Sequence, residues 1–154
     1  MPGLSLSDFA RKMNEVMPVI MREFGRRLVN ELYKGKITLP QFLLLEFLQR
    51  EGESKMTALA HFMNVTTAAM TGIVERLVRD GYVVRAYQAQ DRRIIKIELT
   101  FQGIDLVKRI NQQRCQMVIR IFGKISEADR REYLRILMQI KDILSAKEKE
   151  AGQL

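Results

Sequence analysis

Two short stretches hold the side chains best suited to chemistry with a ligand. The first runs from Thr66 and places Thr67, Ala68, Thr71, Gly72 and Arg76 at helical spacing, away from the apolar positions Met70, Ile73, Val74 and Leu77. At 100° per residue the outward positions are Ala68, Thr71, Gly72 and Glu75, flanked by Thr67, Arg76 and Arg79. Small and hydroxylated side chains with arginines behind them suit close approach to a base-pair edge. Alanine and threonine methyls meet thymine methyls, hydroxyls reach base edges, and guanidinium groups reach guanine or phosphate. Gly72 in a helix interior costs roughly 1 kcal/mol against alanine, and close approach of another surface is a reason to keep it. The second stretch is Asp91-Arg92-Arg93, in a polar loop predicted from Gln88 to Arg93. A thin basic projection can enter a minor groove, where the potential is strongly negative. There Asp91 orients a neighbouring arginine or caps the turn.

The charge map agrees with a polyanionic partner. The chain has a formal net charge of +8 over 154 residues. From Ser54 to Lys124 there are 12 basic and 5 acidic residues, a net of +7, and the remainder nearly balances. Excess positive charge of this kind marks nucleic-acid binders. Catalytic constellations are missing. One histidine, His61, and one cysteine, Cys115, supply neither a Ser–His–Asp arrangement nor a Cys–His pair. No phosphate-binding or dinucleotide glycine loop is present. An enzyme is therefore not expected, nor a metal centre or a cofactor. With no apolar run of about 18 residues there is no expected membrane span. The single cysteine and the lack of a leader pattern after Met1 predict the cytoplasm.

The elements that must position these residues can be read from periodicity. Phe9, Met13, Val16, Met17, Ile20, Met21, Phe24, Leu28 and Leu32 trace one helical face, and Pro18 either kinks that helix or splits it. Gly35 is the expected stop. Thr38 and Gln41 form a capping box before a helix that is apolar nearly all round, from Phe42 to Leu48. Met56 to Met63 is a short helix, Asn64 and Val65 a turn, and Thr66 the N-cap of a helix closed by Gly81. Two helices across so short a turn form a helix-turn-helix. Tyr82 to Tyr87 and Ile94 to Leu99 read as the strands of a wing. Thr100 starts a long helix to Phe122, and Ser126 starts another. The last helix is apolar on more than one face, from Tyr133 to Leu144, which predicts burial against a second chain.

In this order, Thr38-Leu39-Pro40-Gln41-Phe42 with Leu45 and Leu48, Leu59-Ala60, Val74-Glu75-Arg76-Leu77, Gly81-Tyr82-Val83, Asp91-Arg92-Arg93 and Leu99-Thr100 resemble the MarR family of bacterial transcriptional regulators. The resemblance spans roughly Met13 to Leu144. It implies a mainly α fold with a small β-hairpin wing, a winged helix-turn-helix carrying N- and C-terminal dimerisation helices. It implies one domain over 1–154, with a DNA-binding lobe at 37–100 and dimerisation regions at 5–34 and 101–146. It implies a homodimer on a pseudo-palindromic double-stranded DNA operator, often a repressor. Thr66 to Arg76 would be the recognition helix, with Arg92 or Arg93 in the minor groove. Pro18 and Ala68-Ala69 depart from the family's usual pattern. Relatives of this kind often release DNA on binding a small phenolic or anionic effector. Met17, Met21, Phe24, Phe47 and Cys115 are the residues that such a pocket would use here, with core packing as their alternative role. The competing function on the same fold is a non-specific or architectural nucleic-acid binder. A winged-helix module that binds protein is a third class, against which the basic centre argues.

Overall fold

A computed structural model describes residues 3–31, 37–88 and 91–151, with the backbone alone at 28–31, 88, 91–93 and 147–151. The expected stop at Gly35 lies outside the described residues. The order is α1 (Leu6–Glu31), α2 (Leu39–Glu51), β1 (Ser54–Lys55), α3 (Met56–Met63), α4 (Thr67–Arg79), β2 (Val83–Gln88), β3 (Asp91–Leu99), α5 (Phe101–Phe122) and α6 (Glu127–Ala151). The chain divides into two compact units, Met1–Arg114 and Cys115–Leu154.

In the first unit, α1 is one continuous helix with Pro18 inside it, so the split reading is excluded. Proline at 18 leaves the Asn14 carbonyl without its helical donor, and Asn14 is exposed to water, which can replace it. α2 begins with the capping box. The Thr38 hydroxyl accepts from the Gln41 N–H at 3.4 Å, and the Gln41 side chain accepts from the Thr38 N–H at 2.9 Å. α2 sends Phe42, Leu44, Leu45 and Leu48 into the core. Leu59 and Ala60 of α3, Met70, Val74 and Leu77 of α4, and Val83 and Ile97 of the sheet join them. Leu106, Val107 and Ile110 of α5 complete this core, which therefore extends past residue 100. By the usual measure of roughly 25 cal/mol per Å² of apolar surface, this burial is the main stabilising term of the unit.

The sheet has three antiparallel strands in the order β1-β3-β2. β1 pairs Ser54 with Ile97 and Lys55 with Lys96. This strand is too short to show an alternating pattern, and periodicity did not reveal it. β2 pairs Val83 with Leu99 through Tyr87 with Ile95, then shifts register between Tyr87 and Gln88. The expected loop from Gln88 to Arg93 is corrected here: Gln88 belongs to β2, and Asp91, Arg92 and Arg93 already belong to β3. Apolar alternation ends at Tyr87 and resumes at Ile94, short of both strand ends. The backbone ladder does not require an apolar side chain and continues beyond that point.

In the second unit, Ser126 caps α6, its hydroxyl accepting from the Asp129 N–H at 3.2 Å. The Arg130 guanidinium donates to the Phe122 carbonyl at 3.1 Å and also to the Ile125 carbonyl, which satisfies acceptors at the α5–α6 corner. Phe122 and Tyr133 stack with ring centroids 5.4 Å apart.

Candidate nucleic-acid interface

The turn between α3 and α4 is set by Asn64, which takes the left-handed conformation at φ 51°. Asparagine tolerates that region better than most residues. The Asn64 N–H donates to the His61 carbonyl at 3.1 Å and the Val65 N–H to the Ala60 carbonyl at 3.0 Å, closing α3. Thr66 then starts α4, its hydroxyl accepting from the Ala69 N–H at 3.1 Å. This is the helix-turn-helix, and it fixes which face of α4 looks outward.

The buried side of α4 is the one its apolar spacing predicts. Met70, Val74 and Leu77 are buried, and Ile73 is half-buried against them. Thr66, Thr67, Ala68, Ala69, Glu75, Arg76 and Arg79 are exposed, and Thr71 and Gly72 are half-buried. Ala69 extends the small-residue surface and was not singled out by spacing. The Thr71 hydroxyl donates to the Thr67 carbonyl at 2.8 Å, so its lone pairs and methyl remain for an outside partner. A Cβ placed on Gly72 would meet nothing within 4 Å. Nothing described in the chain therefore excludes a larger residue there.

Arg76 and Arg79 differ. Arg79 pairs with Asp80 at 3.2 Å, and Arg76 makes no ion pair among the described residues. Glu75 lies 3.9 Å from Arg85 of β2, which joins the outward face of α4 to the wing. Spacing within one element could not reveal that pair. The side chains of Asp91, Arg92 and Arg93 lie outside the described residues.

Two glycines and a threonine hold α4 and the wing together. Gly81 ends α4 at φ 81°, where an L side chain is strained, and the next N–H, of Tyr82, donates to the Leu77 carbonyl at 2.9 Å. The Thr100 hydroxyl donates to the Gly81 carbonyl at 2.6 Å and accepts from the Gly103 N–H at 3.0 Å. A Cβ on Gly103 would lie 2.1 Å from the Tyr82 carbonyl oxygen, so only glycine fits. The base of the wing carries a charged cluster. Lys96 pairs with Glu53, whose carboxyl is held below the ordinary value by that bond first and by a hydrogen bond from Glu98 second. The bond shared with Glu53, aided by partial desolvation, pushes the Glu98 carboxyl up.

The expected effector residues are placed as follows. Met17 and Met21 of α1 are exposed, Met21 by 67%, and Phe24 is half-buried. Phe47 is half-buried, its ring centroid 4.2 Å from that of Phe62 and 5.7 Å from the Arg50 guanidinium carbon. Cys115 is a free, exposed thiol. Among the described residues there is no group of three His, Cys, Asp or Glu side chains able to hold a metal ion. No described helix is long and apolar enough to cross a membrane.

Comparison with known proteins places this geometry in context. Residues 37–95 match the model of the MarR family. The HTH-type transcriptional repressor YetL of Bacillus subtilis is 31% identical over 142 residues, covering 92% of this chain and 80% of that protein. A MarR family protein from Bacillus stearothermophilus superposes with a TM-score of 0.82 at 20% identity, covering 92% of this chain and 99% of that one. A mutant of MepR from S. aureus, bound to an oligodeoxyribonucleotide, superposes with a TM-score of 0.67 at 22% identity, covering 85% of this chain and 96% of that one.

Proposed function

The chain belongs to the MarR family, and we infer that it is a DNA-binding regulator of transcription, acting as a homodimeric repressor on a pseudo-palindromic operator. The observation that carries this reading is the outward face of α4. It is small, hydroxylated and open at Gly72, with Arg76 unpaired among the described residues beside it. An α-helix with its side chains is about 10–12 Å across, and the major groove is about 12 Å wide. A face built from Thr67, Ala68, Thr71 and Gly72 lets the helix axis sit deep enough for Arg76 to reach a base or a phosphate. Arg92 and Arg93 on the wing take the adjacent minor groove, with Asp91 orienting them. Thr66 contributes mainly as the cap that sets the first turn.

Dimerisation is proposed from the exposed apolar surface of α1 and α6. Phe9, Val16, Ile20 and Met21 on the first helix, and Leu134, Leu137, Ile140 and Ile143 on the last, all lie exposed in the single chain. Apolar stripes of this length on soluble helices mark a protein contact. Two copies then place their recognition helices about 34–36 Å apart, one turn of DNA. Release by a small phenolic or anionic effector belongs to the same reading, with Met17, Met21, Phe24, Phe47 and Cys115 as its candidate contacts. Action in the cytoplasm follows from the role.

A gel-shift against DNA from upstream of the chain's own gene tests the reading. A retarded band that survives excess random duplex is expected. Equal competition by random duplex would leave a non-specific binder, whose affinity falls with salt as steeply on every sequence.

A further inference from the structure

One acid stands on the outward face of α4. Glu75 lies one turn beyond Thr71 and Gly72, and in projection about 20° from Ala68, a heptad earlier. Its side chain is 62% exposed. On a surface that meets phosphates a bare carboxylate is repelled, so its presence there asks for a reason. Its ion partner among the described residues is Arg85 of β2, at 3.9 Å. Arg85 stands opposite Ile97 in the ladder, and Ile97 is fully buried, so Arg85 leaves the sheet on the face that packs the core. That face is also the one turned to Met70, Val74 and Leu77 of α4, which share the core with Ile97. At this separation the pair is not a hydrogen bond, and the carboxylate keeps its acceptor positions for another donor. An exposed pair of this kind adds little to stability. What it does is offset the charge of Glu75 and draw the carboxylate to the wing side of α4.

We propose that Glu75 is a specificity-determining residue that accepts a hydrogen bond from the N4 amino group of a cytosine in the major groove, with Arg85 as its positioning residue. This rests on the operator-binding reading above. An ionised carboxylate only accepts, and the major-groove edges decide what it can meet. Guanine offers N7 and O6 and thymine offers O4, all acceptors that repel it. Adenine sets its N6 amino group beside the N7 acceptor. Cytosine offers the N4 donor with no acceptor beside it on the same base. The order of side chains along α4 suits this task. A recognition helix meets base edges mainly with its N-terminal turns, and there Ala68, Thr71 and Gly72 are short and permit close approach. Farther along the helix, the longer glutamate spans a wider gap.

Affinity selection from a randomised duplex library tests the proposal, run on the full parent chain and on Glu75→Ala, Glu75→Gln and Arg85→Gln, with the thermal midpoint of each recorded. The parent pool should hold one position per half-site at which cytosine exceeds thymine by about 5- to 10-fold, the low end for a single base contact. Glu75→Ala should bring that preference below about 2-fold and leave the other positions of the motif as they were. Glu75→Gln should turn the same position toward adenine, which an amide pairs through N6 and N7. Arg85→Gln should weaken the preference at that position alone, at a thermal midpoint close to that of the parent. Identical motifs from the parent and Glu75→Ala would overturn the proposal. So would an even loss over all positions, the mark of a bridge that only ties α4 to the wing. An Arg85→Gln pool matching that of the parent would overturn the positioning role. A parent pool without any motif would refute the operator reading itself, and this proposal with it.

Discussion

Replacing Gly72 by alanine should make the protein more stable and a worse DNA binder. The stability half follows from the chain alone. Gly72 sits in the interior of a helix, where glycine is roughly 1 kcal/mol less favourable than alanine. A Cβ there meets no atom within 4 Å, so no clash offsets the gain. For a chain of this size about 1 kcal/mol raises the thermal midpoint by roughly 2–4 °C. The binding half follows from what lies outside the chain. If α4 packs its Thr67, Ala68, Thr71 and Gly72 face against DNA, the added methyl overpacks that contact. Overpacking a tight contact costs about 1–3 kcal/mol, equivalent to roughly 5- to 150-fold in affinity for one copy, and a dimer carries two. Thermal melting and fluorescence anisotropy on the same preparation read both effects. A stabilised variant with unchanged operator affinity would refute close approach at Gly72. A destabilised variant would refute the open surroundings described for it.

Other perturbations separate fold from recognition. Gly103→Ala should destabilise by about 1–3 kcal/mol or more, because its Cβ would press on the Tyr82 carbonyl; an unaltered urea midpoint would contradict this. Thr66→Ala should cost about 0.5–2 kcal/mol through the lost cap on the Ala69 N–H, and a shift below about 0.2 kcal/mol in the same melt would show that the cap is not made. At the wing base, NMR titration should find the Glu98 carboxyl above the ordinary carboxylate value and Glu53 below it. The Glu98 contribution to stability is complete below its unfolded value and lost as pH rises through the raised one. The Glu53 contribution is present above its unfolded value and lost as pH falls through the lowered one. The reverse order of titration would remove Lys96 and the shared bond as the causes.

Much of the interface was legible because its determinants are local. The Thr38–Gln41 capping box, the Asn64 turn, the Thr66 cap and the Gly81 stop all act within a few residues, and each was found where the spacing put it. The face of α4 was legible because helical geometry alone decides which residues share a side. What escaped lies between elements. β1 is two residues long and exists because β3 offers it an edge. The Glu75–Arg85 bridge, the close approach of Gly103 to Tyr82 and the grip of Glu46 on Arg114 join residues distant in sequence, and no spacing rule encodes them. The start of β3 at Asp91 escaped for a different reason. Its first three residues are charged, and hydrophobic alternation marks only the part of a strand that covers a core.

The most direct test of the central claim is to sequence the DNA fragments that the purified chain selects from its genomic library at physiological salt. The account predicts one enriched motif, an imperfect palindrome whose half-sites are centred about 10–10.5 base pairs apart. A selected pool with the composition of the input library, at retained affinity, would contradict it.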